Sequence, residues 1–184
     1  SPFVAGLLGV VILFLAVGTR WRWMFRHGQP VSVDESNYLA MSLSDYFNFT
    51  GGGIKGFIAA FEAHRSYAPL TSAVAAALYG VTGPHVIAAF AVPLACAAGA
   101  VTATYFIGKR LDSAATGLLS AVLVATCPLI VTYSRAFHFA IPATLVATLA
   151  LLALLQSGRC RRWGWTLLFG LCVGLLPLDR SMTV

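Results

Sequence analysis

Stretches of 16 to 24 residues without a single Asp, Glu, Lys or Arg recur along this chain, and no other feature restricts its fold so strongly. A helix in the core of a soluble domain rarely needs more than about a dozen apolar residues, whereas a bilayer needs about 20. Residues 2–19 come first, and 18 residues at 1.5 Å each give about 27 Å, enough to cross a thin or untilted bilayer. Residues 85–108, 114–133 (kinked by Pro128), 141–156 and 163–178 follow. Residues 69–82 open with a proline suited to a helix start and are apolar for only about a dozen positions, which fits a partly inserted helix. The expected fold class is all-α: a polytopic transmembrane helical protein of about five full spans, one short partly inserted helix, and interfacial helices in the first external loop.

Composition agrees. Hydrophobic residues make up 59 % of the 184 and charged ones 10 %, with a mean hydropathy of +0.83, far more apolar than an average soluble domain. The net charge of +6 does not point to nucleic acid, because the basic residues flank apolar blocks and form no continuous patch. Cys96, Cys127, Cys160 and Cys172 have no CxxC spacing and read as small hydrophobes. No basic leader precedes Pro2 and no polar tail follows Asp179, so the expectation is one transmembrane domain over 1–184 that forms the N-terminal part of a longer membrane domain.

The first block runs into Arg20-Trp21-Arg22-Trp23, the cationic and aromatic mixture expected at headgroup depth. Residues 20–68 then form the first external loop, with the one long polar stretch at 28–66. That stretch holds Asp34, Glu35, Asp45 and Glu62, four of the six acidic residues, and a Gly51-Gly52-Gly53 hinge. Tyr38, Met41, Tyr46 and Phe49, and beyond the hinge Phe57, Ile58 and Phe61, recur near helical spacing, so two short amphipathic helices on the membrane surface are expected. The glycines lack the lysine and strand context of a nucleotide loop, and Trp163 and Trp165 read, like Trp21 and Trp23, as interfacial anchors.

Two arrangements of sides are open. If residues 69–82 do not cross, the acidic loop, the turn at 134–140 and Asp179-Arg180 face one compartment. Lys109, Arg110, Arg159, Arg161 and Arg162 then face the other, which the positive-inside rule makes cytoplasmic. If they do cross, all basic clusters fall on one face, as the charge rule alone favours, and the membrane separates the acids from Arg135. The shortness of 69–82 favours the first arrangement.

Four local patterns occur in order: Asp34-Glu35-Ser36-Asn37-Tyr38; His64-Arg65-Ser66-Tyr67-Ala68-Pro69-Leu70; Tyr133-Ser134-Arg135 with Pro142 beyond it; and Gly174 to Ser181, containing Pro177, Asp179 and Arg180. Together they resemble the GT-C superfamily of membrane glycosyltransferases, in particular the branch of protein O-mannosyltransferases and lipid A aminoarabinose transferases. The resemblance implies transfer of a sugar from a polyprenyl-phosphate donor to a lipid, glycan or protein acceptor on the non-cytoplasmic face, and the abundance of Ala, Gly, Leu and Arg points to a bacterial inner membrane. It makes Asp34 the catalytic acid of the loop, a general base toward the acceptor hydroxyl. Glu35 would orient it or help Asp34 hold a divalent cation, Mg or Mn. Tyr38, His64, Arg65, Arg135, His138 and Arg180 would line the substrate site, the arginines binding phosphate oxygens through their planar forks. The sequence departs from the family at Ala68-Pro69, where Pro-Pro is common. It departs again at Ile141, where many members carry an Asp; His138 is the nearest polar residue, and a second acidic metal ligand is missing.

The plainer readings are an N-terminal charge pair on a surface helix for Asp34 and Glu35, headgroup anchors for the arginines, and an Asp179–Arg180 pair at a span end. The competing functions are a transporter or lipid flippase, which would favour charges near mid-membrane and paired broken helices, and a non-catalytic assembly subunit.

Overall fold

The computed structural model describes residues 2–27, 32–64 and 69–179. Eight helices occupy them: α1 (Pro2–His27), α2 (Val33–Ala63), α3 (Pro69–Thr82), α4 (Val86–Leu111), α5 (Ala114–Thr126), α6 (Pro128–Tyr133), α7 (Ala140–Gln156) and α8 (Trp163–Asp179). The protein is an all-helical membrane protein. Among the described residues α4 is the one helix that, unbroken, is long and apolar enough to cross a bilayer, while α3, α5, α7 and α8 are shorter apolar helices. At 17 residues each, α7 and α8 reach about 26 Å.

Most boundaries follow from local chemistry. Ser32 caps α2 with its hydroxyl accepting the Glu35 N–H at 3.2 Å, and Ser113 caps α5 through the Thr116 N–H at 3.2 Å. The expected span at 114–133 is broken rather than kinked. Cys127, forced toward extended backbone by Pro128, takes φ −57° and ψ 125° and separates α5 from α6. The first block is longer than expected, since α1 runs through Arg20 and the two tryptophans to His27.

The surface helices at 34–49 and 54–61 are two arms of α2. The bend is at Gly53 (φ 60°, ψ −148°), a region that L side chains rarely enter, so the last of the three glycines is the hinge. Gly56 then passes so close to the other arm that a Cβ there would lie 2.2 Å from the Asn48 carbonyl oxygen. The ring of Phe49 meets that of Phe57 edge to face across the fold, and the Nδ1 of His64 lies 3.1 Å from Oδ1 of the buried Asp45.

One core cluster joins the elements that matter for function. Leu39 of α2, Ala75 and Tyr79 of α3, Ala88, Ala89, Phe90, Val92 and Leu94 of α4 and Phe137 of the 134–139 turn bury one another, with Val17, Trp21 and Trp23 of α1 packed against them. A second, smaller cluster of Val101, Ala121 and Ala125 holds α4 to α5, with Leu13 of α1 beside it.

Candidate active site

The first turn of α2 carries Asp34 and Glu35 side by side but in different surroundings. Glu35 is 2 % exposed, and its Oε1 accepts the buried backbone N–H of Phe137 at 2.7 Å. Asp34, one residue earlier, is exposed. A carboxylate accepting a backbone N–H in a dry setting stabilises by about 1.5–3 kcal/mol, and this one ties two segments 102 residues apart. The acidic loop and the 134–139 turn therefore meet at one end of the bundle. That is the arrangement in which residues 69–82 do not separate them.

An aromatic wall surrounds the junction. The Tyr38 ring sits edge-on to His138 at 5.5 Å and to Phe139 at 5.8 Å. His138 stacks on Phe139 at 4.3 Å between centroids and lies 5.0 Å from Tyr133. Its Nδ1 accepts the Ala140 N–H at 3.2 Å, which leaves Nε2–H as the donor of the neutral ring. Burial holds the His138 pKa below its ordinary value, an effect that the charges of Asp34 and Glu35 only partly offset.

Cations approach from the other side of the turn. The Arg135 guanidinium lies over the Trp23 ring at 5.1 Å, a contact worth about 0.5–2 kcal/mol, and its Nε is buried without a hydrogen-bond partner. Arg20 is 3 % exposed, and its Nη2 donates to the Ala125 carbonyl at 2.6 Å. That oxygen is available because the break at Cys127–Pro128 ends α5 just beyond it. Arg20 is thus no headgroup anchor, contrary to the sequence expectation, and Trp21 and Trp23 pack against the core. Trp163, at 77 % exposed, and Trp165 do stand on the surface.

Of the residues expected at the site, the structure brings together Asp34, Glu35, Tyr38 and His138, while Arg135, two residues before Phe137, lies over Trp23 and lines a groove with Arg20. His64 is elsewhere: it pairs with Asp45, which lies 11 residues, or about 16 Å, along α2 from Asp34. Arg65 and Arg180 lie outside the described residues. Among the described residues no three His, Cys, Asp or Glu side chains gather as a protein-enclosed metal would need, and one Glu35 oxygen is already bound to a backbone N–H. The described residues therefore do not by themselves enclose a divalent ion. Ile141, where an acid was sought, is 2 % exposed and packed in apolar surroundings.

Sequence reasoning missed Arg20 and the Phe137 N–H. Arg20 was within reach, because it follows Leu13 and Val17 on one helical face once α1 is continued past Thr19. A backbone donor leaves no mark in a sequence.

Residues 66–183 match the family model of the dolichyl-phosphate-mannose-protein mannosyltransferases. The chain belongs to this family. The match spans more than half of the chain and includes the 134–139 turn, whereas Asp34 and Glu35 precede it. Neither a curated protein nor a solved structure matches the chain significantly. Membership, with the apolar helices, makes this a membrane glycosyltransferase of the mannosyltransferase-like kind and confirms the GT-C resemblance read from the motifs.

Proposed function

We propose that this chain carries the acceptor-activating part of a glycosyltransferase that moves a sugar from a polyprenyl-phosphate carrier to an acceptor hydroxyl on the non-cytoplasmic face. The observation that supports it most is the 2.7 Å bond from the Phe137 N–H to Glu35, which fixes the acidic turn of α2 against the arginine-bearing turn. In this reading Glu35 is a positioning residue and its exposed neighbour Asp34 is the base. As the acceptor oxygen attacks the anomeric carbon, Asp34 takes its proton. The bond to the carrier phosphate breaks on the opposite side, and the sugar is inverted. Negative charge developing on that phosphate needs fixed positive charge nearby. Arg135 supplies it, together with Arg65 and Arg180, which the family resemblance puts in the same role. Tyr38 and neutral His138 line the sugar, an aromatic face with one ring N–H donor.

For sidedness, Lys109 and Arg110 in the last turn of α4 and Arg159, Arg161 and Arg162 in the α7–α8 link mark the opposite ends of α4 and α7 as cytoplasmic, while Arg20, Arg22 and Arg26 of α1 count against it. The test is Asp34→Asn in the full-length protein in membranes, assayed with a polyprenyl-phosphate mannose donor. Transfer falls by about 10²–10⁴-fold, the usual contribution of a general base, while expression and insertion are unchanged. Normal turnover by Asp34→Asn removes Asp34 from the mechanism.

A further inference from the structure

Among the described residues no hydrogen bond or ion pair holds the Asp34 carboxylate, so its direction is set by how α2 is turned about its own axis. Polar groups grip that axis. At 100° per residue, positions 35, 42 and 45 fall within a sector of about 80°, and all three side chains are buried. Glu35 holds the Phe137 N–H at the start of the first arm. Two turns on, Ser42 Oγ lies 3.2 Å from the hydroxyl of Tyr79 in α3. The Ser42 hydroxyl already donates to the Leu39 carbonyl at 2.8 Å, so the buried Tyr79 hydroxyl is the donor to Ser42. One turn further, Asp45 Oδ1 meets His64 Nδ1 at 3.1 Å. Burial raises the Asp45 pKa, an effect that His64 only partly offsets, and Oδ2 has no hydrogen-bond partner. Such a pair is a weak source of stability, since apolar side chains of similar volume do as well or better; what buried polar groups do supply is a unique register. Apolar contacts such as those of Leu39 and Ala75 beside Tyr79 are non-directional and tolerate a small rotation, whereas hydrogen bonds weaken steeply with angle.

We infer that Tyr79 and Asp45 are positioning residues: the buried seam of Ser42–Tyr79 and Asp45–His64 locks the rotation of the first arm of α2 against α3 and the returning second arm, and so aims Asp34 at the acceptor hydroxyl. The inference rests on the reading of Asp34 as the base and adds to it the residues that direct it. The arm is helical from Val33 to the bend at Gly53, so a turn at residues 42–45 is carried to residue 34. Glu35 alone is a single tie at one end, about which the arm could pivot. The seam lies 7 and 10 residues further, about 10 and 15 Å along the axis, and supplies the second point of fixation. With its side chains the helix has a radius of about 5–6 Å, so a rotation of about 10° shifts a carboxylate by about 1 Å. A misplacement of that size can lower a rate about 100-fold.

The experiment measures kcat and KM per amount of inserted full-length protein in membranes, with a polyprenyl-phosphate mannose donor, and thermal unfolding of the same variants in micelles. Tyr79→Phe and Asp45→Leu should each lower kcat by about tenfold or more while the donor KM stays within about twofold of wild type. Asp45→Leu should keep or raise the unfolding midpoint, a combination that a residue needed only for folding cannot give. Should Tyr79→Phe fail to insert, Ser42→Ala removes the same bond from the α2 side, and Ser42→Thr, which retains the hydroxyl, should keep most of the turnover. Added to Asp34→Asn, Tyr79→Phe should lower transfer no further, because the group it directs is already gone. An unchanged kcat in either Tyr79→Phe or Asp45→Leu overturns the inference. So does a Tyr79→Phe loss that multiplies in full with that of Asp34→Asn, or an unfolding midpoint of Asp45→Leu that falls in step with its kcat. The two readings separate through Asp34→Asn alone. If it is inactive while Tyr79→Phe turns over normally, the base assignment stands and the seam falls. If it transfers normally, the base assignment falls and a seam that aims Asp34 falls with it.

Discussion

Two adjacent carboxylates in one helical turn have been given opposite environments, and the difference sets what each can do. Glu35 is spent on a backbone donor, so its removal is a structural event. Glu35→Ala leaves the Phe137 N–H buried and unpaired and should cost about 1–3 kcal/mol, whereas Glu35→Gln keeps an acceptor and should cost less. Thermal unfolding of the two variants in micelles gives the order, and equal losses would show that the bond is not holding the turn. His138 adds a pH dependence. Its folded pKa lies below the ordinary value of 6.5, so the unfolded chain binds the proton more readily. Stability is then full above about pH 6.5 and declines as pH falls through 6.5 toward the folded value, where the loss levels off. His138→Gln should flatten that decline, and an unaltered pH profile of unfolding would assign it to another group.

At the scale of elements, the polar loop was legible in outline and not in detail. Helical spacing on either side of the glycines marked two arms, and a glycine run marked a bend. Which glycine bends could not be read, because all three are equivalent in sequence while only Gly53 has a positive φ. The structure therefore separates them. Gly53→Ala forces a side chain into a backbone region it rarely adopts and should destabilise by about 1–3 kcal/mol, and Gly56→Ala meets the Asn48 carbonyl oxygen directly. Gly51→Ala and Gly52→Ala point into open space within a helix and should be neutral or stabilising by up to about 1 kcal/mol. Unfolding midpoints of the four variants provide the comparison. The break at Cys127 was half visible for a related reason. A proline disfavours helix at the residue before it, but whether the chain kinks or stops depends on what accepts and donates around it. Here the Arg20 guanidinium takes up the Ala125 carbonyl next to the gap.

At the scale of the molecule, membrane architecture was plain because block length and charge placement both report on the bilayer. The convergence of residues 34–38 with 134–139 was only inferred, since it depends on pairings 102 residues apart that leave no local pattern. The same convergence turns sidedness into one measurable question. Cys160 is the exposed cysteine, a free thiol in the α7–α8 link beside Arg159, Arg161 and Arg162. The turn at 134–139 opens α7 at its other end. An α7 that crosses the membrane puts Cys160 and the Glu35–Phe137 junction on opposite faces. With the positive cluster inside, a membrane-impermeant maleimide should label Cys160 in inverted vesicles and leave it unlabelled in right-side-out vesicles until detergent is added. Labelling from the outside alone would move the acidic turn, and with it the proposed transfer reaction, to the cytoplasmic face. A donor sugar would then be used on the side where nucleotide sugars are made, and the need for a lipid carrier would lose its physical basis.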